Sequence, residues 1–368
     1  MSAAGCSSAL RGIRVCFFGH YDPNYSRNRI IMKALQRAGA SVVEVRSCLS
    51  GTARYRQLLK VALRTRFDIM WVGFPGHTDI PLAKIVCLLK RRPLIFDAFV
   101  SYYDSMVWDR KLLRPKSIGA CKAYLTDWLS CRLADLVVLD TNTHIDYFAA
   151  TFNMPRSKCR RLYVGADDDV MFPRNEVLPE KPFVVFFYGT FIPLHGIEHI
   201  VEAAAILEEA GEDINFITVG SGQTFPAIRH IVEKRRLKSI RLLGKLPYEE
   251  LPKLMSASHI CLGIFGTTPK AQRVIPNKVF DAIAVARPVV TADTPAVREV
   301  FTHGENIYLV PPGNPKALAH AILALKQNLI LRSQIATAGN QIFRERFSIQ
   351  AISTELTKLL KEVLRADG

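Results

Sequence analysis

Residues 270–284 combine side chains that suit a phosphorylated ligand. Pro276 ends a loop and Asn277 can cap a helix, whose first N–H groups and positive dipole end attract a phosphate. Lys278 adds a full positive charge at the same end, and Asp281 follows about one turn later. A carboxylate there could accept hydrogen bonds from both hydroxyls of a ribose. The spacing therefore predicts half of a clamp for a nucleoside diphosphate.

Other reactive residue types give weaker patterns. Residues 220–222, Gly-Ser-Gly, lack the third glycine of a dinucleotide fingerprint, which disfavours a nicotinamide enzyme. The 9 histidines include no H-E-x-x-H motif of the zinc hydrolases. The 8 cysteines, Cys6 among them, are irregularly spaced without a C-x-x-C pair, so we interpret them as reduced, packed thiols.

The elements that position these residues alternate between short apolar runs and amphipathic stretches, which is typical of parallel sheets crossed by helices. The predicted fold class is α/β. Ligands of such sheets bind beyond the carboxyl ends of the strands, so candidate functional residues are sought there. The predicted strands cover residues 14–19, 41–46, 67–73, 93–99, 134–140, 159–165, 183–189, 214–220, 239–244, 260–265, 288–292 and 307–310.

A length of 368 residues favours two domains. A stretch with little periodicity interrupts the alternation of strands and helices once, and the chain is helical at its end. The predicted division is a flexible tail over 1–10, a first domain over 11–165, a connector over 166–182, a second domain over 183–345 and a C-terminal helix over 346–368, which could pack back on the first domain.

The net charge of +16 is concentrated in the first half of the chain. Residues 1–165 hold 26 basic and 11 acidic side chains, whereas the rest hold 23 and 22. Arginines and lysines alternate with leucines over 54–66, and Trp108 precedes the basic residues of 110–116. Such a pattern is typical of a face that binds anionic lipid, and a solvated helix face is the alternative.

Taken together, the motifs identify a resemblance to the retaining glycosyltransferases of family 4 over nearly the whole chain. Residues 164–172, VGADDDVMF, resemble the family's hinge, and 187–197, FYGTFIPLHGI, resemble its G-R-x-x-x-x-K-G-I motif. Five further matches follow in the family's order, at 216–222, 242–247, 276–284, 288–299 and 304–306.

The resemblance implies the GT-B architecture, in which two Rossmann-like doubly wound domains face each other across a cleft. It implies a nucleotide-sugar donor in the second domain, an acceptor in the first, and no metal or other cofactor. The run Asp167–Asp169 could suit a divalent cation, but it falls at the hinge, so no metal site is expected there.

The family's E-x7-E pair falls on Arg273 and Asp281. Asp281 is expected to hold the ribose, whereas Arg273 cannot accept hydrogen bonds from sugar hydroxyls and is expected to contact the diphosphate or an acidic sugar. Thr190 and His195 stand where the family has Arg and Lys, so the cationic contacts are expected to have moved to Arg273 and Lys278. The other donor-binding residues implied by the resemblance are Gly189 and Gly220 in the loops after two strands, with Asn277 at the helix start.

On the acceptor side, Asp97 ends a predicted strand. It is expected to act as a base or orienting group for the incoming hydroxyl, and a cap of the following turn is the alternative. The remaining acceptor-side candidates are His20, Arg27, Asn28 and Ser101.

The expected activity is therefore transfer of a sugar from a nucleotide diphosphate to a glycan or lipid-linked acceptor, with retention. No apolar run reaches the ~20 residues of a transmembrane helix and no secretory signal is evident, so we expect a cytoplasmic enzyme, peripheral at the membrane. The alternatives are a nucleotide-sugar epimerase or phosphorylase on the same fold, and a basic nucleic-acid-binding protein. The regular α/β pattern disfavours nucleic acid as a partner.

Overall fold

The structure, a computed structural model, describes residues 8–176, 178 and 180–366. These residues form two compact units. The first unit comprises residues up to 107, residues 111–164 and the helix that begins at residue 349. The second comprises residues 108–110 and 165–348. The last helix is thus part of the first unit, although residues 165–348 of the second unit separate it in sequence from the rest of the first unit.

The first unit is built on a six-stranded parallel sheet. Its strand order is β2-β1-β3-β4-β5-β6, and all five neighbouring pairs are parallel. The strands are β1 (Arg14–Gly19), β2 (Ser41–Arg46), β3 (Ile69–Val72), β4 (Leu94–Phe99), β5 (Leu136–Leu139) and β6 (Cys159–Arg161). The helices that connect them are α1 (Ser26–Arg37), α2 (Gly51–Arg64), α3 (Ile80–Lys90), α4 (Ile118–Leu133) and α5 (Asn142–Phe152).

The second unit contains another six-stranded parallel sheet, with the order β12-β11-β10-β7-β8-β9. This is the order of dinucleotide-binding sheets, which reverses direction between the first and fourth strands of the unit, here β7 and β10. The strands are β7 (Phe183–Tyr188), β8 (Ile214–Val219), β9 (Ile240–Leu242), β10 (Ile260–Leu262), β11 (Val289–Ala292) and β12 (Tyr308–Val310). The helices are α6 (Ile197–Glu209), α7 (Phe225–Arg235), α8 (Leu251–Ser256), α9 (Asn277–Ala284), α10 (Pro295–Arg298), α11 (Pro315–Gln327) and α12 (Leu329–Arg346).

The C-terminal helix α13 (Ile349–Ala366) packs against α1 in the first unit. Its inward side chains, including Ile352 and Leu356, are fully buried. The ion pair of Arg160 with Glu362 also joins this helix to β6. Burial of an apolar face of this size makes the terminal helix an integral layer of the first unit.

All twelve predicted strands are present, which confirms the α/β prediction. Several are shorter than predicted because their last residues leave the sheet as loops, as at residues 263–265 after β10. The predicted tail extends too far, since Leu10 is buried and its N–H donates to the Ala38 carbonyl at 3.0 Å. The rest of that tail, residues 1–7, lies outside the described residues. The π-helical turn Asp104–Asp109 was not predicted.

Each sheet carries its own apolar core of strand and helix residues. Five cysteines (Cys16, Cys87, Cys131, Cys159 and Cys261) are buried and form no disulfide, and burial raises the pKa of the Cys16 thiol to about 12. The prediction of packed thiols is wrong for Cys48 and Cys121, which are exposed, and Cys6 lies outside the described residues. Among the helices described, none is long and apolar enough to cross a bilayer.

Candidate functional site

The carboxyl ends of β7 and β8 and the start of α9 converge in the second unit. The loop after β7 begins with Gly189, whose N–H donates to the Val219 carbonyl at 2.9 Å. The loop after β8 begins with Gly220. In parallel sheets this edge beside the reversal of strand order is where ligands bind.

Close approaches explain both glycines, that of another backbone at Gly220 and that of two side chains at Gly189. Gly220 has φ +140°, and a Cβ there would lie 1.9 Å from the Gly189 carbonyl oxygen. A Cβ on Gly189 would lie 3.0 Å from both His195 Cε1 and Lys278 Cε. A side chain at Gly220 would therefore clash with backbone, and one at Gly189, where φ is +152°, would be strained and crowded, so both positions favour glycine. The structure thus brings together four predicted donor-site residues: Gly189, Gly220, His195 and Lys278.

Lys278 is the second residue of α9 and its side chain is buried. Its Nζ lies 3.2 Å from His195 Nε2 and 5.1 Å from the centre of the Phe187 ring. Burial lowers the pKa of Lys278 to about 7, against the opposing effect of the Asp281 carboxylate. The lysine is therefore poised between its neutral and charged forms, at a helix end that favours anions.

His195 ends the short turn Pro193–His195 that precedes α6. Its ring is buried, and this burial, followed by the positive charge of Lys278, holds the pKa of His195 well below its usual range. The imidazole is therefore neutral at pH 7. Thr190, in contrast, is exposed at the rim of the same loop.

Lys270 is a site residue that was not predicted from the sequence. It is buried, and its charge acts on His195. It belongs to the short turn Pro269–Gln272, which begins where the Thr268 hydroxyl accepts a hydrogen bond from the Ala271 N–H. Arg273 follows this turn directly, is half-buried, and its N–H donates to the Lys270 carbonyl at 3.0 Å. The sequence signal that could have identified Lys270 is a basic residue in a Thr-Pro-Lys turn with apolar residues on either side.

The start of α9 differs from the prediction, and Asp281 has partners that were not predicted. Pro276, not Asn277, precedes the helix, and none of the described side chains caps it. Asp281 is fully buried, and both carboxylate oxygens accept hydrogen bonds from tyrosines: Oδ2 from the Tyr188 hydroxyl, and Oδ1 from the Tyr248 hydroxyl at 3.0 Å. A carboxylate engaged in this way supports the site from within, and the ribose contact expected of it stays a prediction.

In the first unit, Asp97 and Arg27 form a fully buried ion pair. Arg27 Nη2 lies 2.9 Å from Asp97 Oδ1, and Nε donates to Oδ2 at 3.0 Å. Arg27 Nη1 also donates to the Leu162 and Tyr163 carbonyls, at 2.6 and 3.2 Å. Burial raises the pKa of Asp97, opposed by the Arg27 charge. The pair therefore joins α1, β4 and the segment after β6, and the acceptor contact expected of Asp97 stays a prediction.

Two further acceptor-side candidates are also structural. Asn28 is fully buried, and its Nδ2 donates to the Asp22 and Phe74 carbonyls while its Oδ1 accepts from the Phe74 N–H. Ser101 is buried as well, and its hydroxyl donates to Asp127 Oδ2 at 2.6 Å. Both side chains hold loops at the carboxyl ends of strands instead of lining an open surface.

His20 differs from these residues because its side chain is exposed. Its N–H donates to Asp79 Oδ2 at 2.7 Å, and its Nδ1 lies 2.8 Å from the Ser47 carbonyl oxygen. It stands after β1, at the reversal of strand order between β1 and β3. His20 is therefore the acceptor-side candidate whose side chain the structure leaves accessible.

Within the described ranges, no group of three or more His, Cys, Asp or Glu side chains is arranged to hold a metal ion. The site of the second unit instead gathers Lys270, Lys278 and a neutral histidine around a glycine-lined loop and a helix start. Such a set has the charge and geometry that suit an anion.

Comparisons with known proteins agree with this geometry. Residues 171–342 match the family model described as glycosyl transferases group 1. The chain is 24% identical over 243 residues to alpha-D-kanosaminyltransferase of Streptomyces kanamyceticus, covering 63% of this chain and 61% of that protein. It is 26% identical over 208 residues to phosphatidyl-myo-inositol mannosyltransferase of Mycobacterium leprae, covering 54% and 52%. The chain thus spans little more than half the length of these curated relatives.

Among solved structures, Anabaena HepE in complex with UDP and glucose superposes with a TM-score of 0.73 at 16% identity, covering 95% of this chain and all (100%) of that one. Similarity at this level of identity shows the fold. The chain therefore has the GT-B fold, and its second unit resembles the glycosyl transferases group 1 model over residues 171–342.

Proposed function

We propose that this protein is a glycosyltransferase whose second unit binds a nucleotide-diphosphate sugar and whose first unit binds a glycan or lipid-linked acceptor. Transfer proceeds with retention of anomeric configuration, as the resemblance to family 4 implies. The proposal needs no metal or other cofactor, because the positive charge at the donor site comes from side chains and a helix end.

The observation that carries this proposal is the position of Lys278. Its ammonium group is buried at the start of α9, and its hydrogen-bond partner is the imidazole of His195 rather than a carboxylate. A buried cation without an anionic hydrogen-bond partner is costly, and such groups are typical of sites where a ligand supplies the countercharge. A diphosphate beside Gly189 would supply it.

The same geometry suggests how bond cleavage is assisted. Negative charge develops on the diphosphate as the glycosidic bond ionises, and Lys278 with the first N–H groups of α9 is placed to stabilise it. Lys270 and Arg273, in and after the turn that precedes α9, add positive charge nearby. The catalytic contribution is thus electrostatic, made by groups that are held in place before the substrate binds.

The relatives support the substrate classes. HepE is described in complex with UDP and glucose, which favours a nucleotide-sugar donor for a chain of the same fold. One relative carries the name of a mannosyltransferase acting on phosphatidyl-myo-inositol, and this favours an acceptor with a lipid part. The excess positive charge of residues 1–165 fits an anionic acceptor or its membrane.

Calorimetric titration tests the proposal. UDP, GDP and ADP are titrated into the wild-type protein, into Lys278→Met, and into Lys316→Met as a control, since Lys316 is exposed at the start of α11. We expect one diphosphate to bind the wild type and the control equally, and Lys278→Met at least tenfold more weakly. Absence of binding by all three nucleotides would contradict the proposal.

A second assay separates transfer from epimerisation. The sugar conjugate of the nucleotide that binds is incubated with the protein, with and without a membrane extract that contains lipid-linked acceptors. A transferase releases nucleoside diphosphate in proportion to added acceptor, whereas a nucleotide-sugar epimerase acts without any acceptor. Acceptor-independent turnover would replace the transferase proposal with the epimerase.

A further inference from the structure

Helix α4 (Ile118–Leu133) exposes several large aliphatic side chains. Its fully buried residues are small or polar, while three larger side chains pack partly buried against the core: the buried ones are Ala120, Ala123, Asp127, Ser130 and Cys131, and the partly buried ones are Tyr124, Trp128 and Leu133. Three large aliphatic side chains face outward instead: Ile118 is 78% exposed, Leu125 50% and Leu129 40%. These three residues are spaced by seven and four positions, which places them on one stripe of the helix. The fold of the unit does not account for this stripe.

The neighbouring helix α3 (Ile80–Lys90) shows a related pattern. It packs against α4 and buries Ala83, Val86 and Cys87, yet Leu88 and Leu89 are 66% and 68% exposed. Ile85, one turn earlier, is 53% exposed. Scattered exposed leucines are ordinary, but six large aliphatic side chains on two adjacent helices are not.

The charged residues of α2 and α3 are all basic. Helix α2, which packs against α3, contains four basic residues, and neither α2 nor α3 contains an acidic one. The acidic residue of α4 is Asp127, which is buried and accepts hydrogen bonds from Ser101 and two backbone N–H groups. Arg56, Lys60, Arg64 and Lys122 are exposed. The outer surface of these three helices, which we term the basic apolar face, therefore combines aliphatic side chains with an excess of positive charge, of which Lys84 is paired with Asp135 and Arg54 with Asp79.

We propose that the basic apolar face binds the surface of an anionic lipid bilayer, with Leu88, Leu89 and Ile118 entering the boundary between headgroups and acyl chains. Aliphatic side chains gain by leaving water, and lysines and arginines beside them attract acidic headgroups. Long basic side chains can also extend toward the phosphates while their stems stay in the apolar region. The inference deepens the proposed lipid-linked acceptor and rests on that proposed function for its biological purpose.

Charge favours a bilayer over a second copy of this chain. A symmetric dimer would place the same face of two protomers together, and their lysines and arginines would repel one another at the interface. An acidic membrane presents the opposite sign over a broad surface, which matches a layer of three helices. Self-association is therefore an outcome that the experiment must test.

The experiment is co-sedimentation of the full chain with vesicles of phosphatidylcholine, alone or mixed with phosphatidylglycerol. Two double variants remove aliphatic side chains from the face: Leu88→Gln with Leu89→Gln, and Ile118→Gln with Leu125→Gln. The matched control is Leu329→Gln with Ile330→Gln, because these side chains are 64% and 72% exposed on α12 in the second unit. Circular dichroism and gel filtration establish that each variant is folded and report its oligomeric state.

We expect the wild type and the control to bind the anionic vesicles alike, and the neutral vesicles at least tenfold more weakly. Each face variant should lose at least tenfold in binding to anionic vesicles. Three results would each overturn the inference. The first is that the control variant loses as much vesicle binding as the face variants, and the second is that binding is the same with and without phosphatidylglycerol. The third is that the wild type forms a dimer that the face variants dissociate. Nucleoside diphosphate binding is measured on the same samples: if it persists while no vesicle binding occurs, the membrane inference fails and the proposed function stands.

Discussion

The Nζ of Lys278 lies 3.2 Å from the Nε2 of His195, and both side chains are buried. Two positive charges at this separation in a buried site would repel strongly, so the pair carries at most one charge near neutral pH. The pKa of His195 lies well below its usual range and that of Lys278 is about 7. The imidazole is thus the acceptor, and the lysine is the group that gains or loses the proton.

Replacing Lys278 by methionine should stabilise the free protein while it weakens donor binding. The unfolded chain binds a proton at Lys278 between pH 7 and its ordinary pKa of 10.5, and the folded chain does not, so the free energy of unfolding rises with pH in this window. Methionine has no such charge to desolvate, and we expect a gain of at least about 1 kcal/mol at pH 7. Thermal unfolding from pH 6 to 9 measures this gain and its decline as the pH rises. Lower stability of Lys278→Met than of wild type would contradict this account.

Donor binding should weaken as the pH rises above 7. The bound diphosphate favours the charged lysine, so binding above pH 7 must take up a proton, and affinity falls by up to about tenfold per pH unit. A terminal phosphate with a pKa of about 6 is already ionised in this range, His195 is neutral, and Asp281 is fixed by two tyrosines. Calorimetry in buffers of different ionisation enthalpy measures the proton uptake. If Lys278→Met takes up the same number of protons on binding, the protonated group is a different residue.

The substitution Gly220→Ala should disrupt the loop that follows β8. Its Cβ would lie 1.9 Å from the Gly189 carbonyl oxygen at φ +140°, so the loop must move. Gly211 is a suitable control, because it has φ +73° and a Cβ added there would meet nothing within 4 Å, so Gly211→Ala reports conformational strain of about 1–2 kcal/mol without a clash. We expect Gly220→Ala to lose more stability than the control and to lose nucleotide affinity as well. Equal effects of the two substitutions would show that the close approach is unimportant.

Loss of the ion pair between Arg27 and Asp97 should lower the free energy of unfolding. Removing one partner leaves a buried charge without its counterion, and Asp97→Ala or Arg27→Ala should cost about 3–5 kcal/mol. The double variant Arg27→Met with Asp97→Leu should cost less than the sum of the two single changes, because no unpaired charge remains. Denaturant unfolding of the four proteins checks this pattern. If Asp97→Ala were fully stable and lost only turnover, Asp97 would instead be a catalytic group.

Much of the fold follows from local patterns in the sequence. Strands such as β1 and β7 are continuous apolar runs because parallel strands are buried on both faces, and the helices between them have regular amphipathic spacing. Glycines after β7 and β8, and a lysine at a helix start after a proline, are also local signals. The sequence therefore placed Gly220 at a strand end and Lys278 at a helix start, and it indicated an anion site.

The tertiary structure decided the partners of the polar side chains. Arg27 and Asp97 are 70 residues apart, and the burial of one guanidinium against one carboxylate depends on how α1 lies on β4. Asp281 could bind a ribose or a tyrosine by its sequence context, and only the positions of Tyr188 and Tyr248 determine that it accepts hydrogen bonds from both. The outward leucines of α4 likewise became evident only once Asp127 was seen to occupy the inner face. Periodicity reports which residues share a face, whereas packing determines which face is buried and which polar atoms meet.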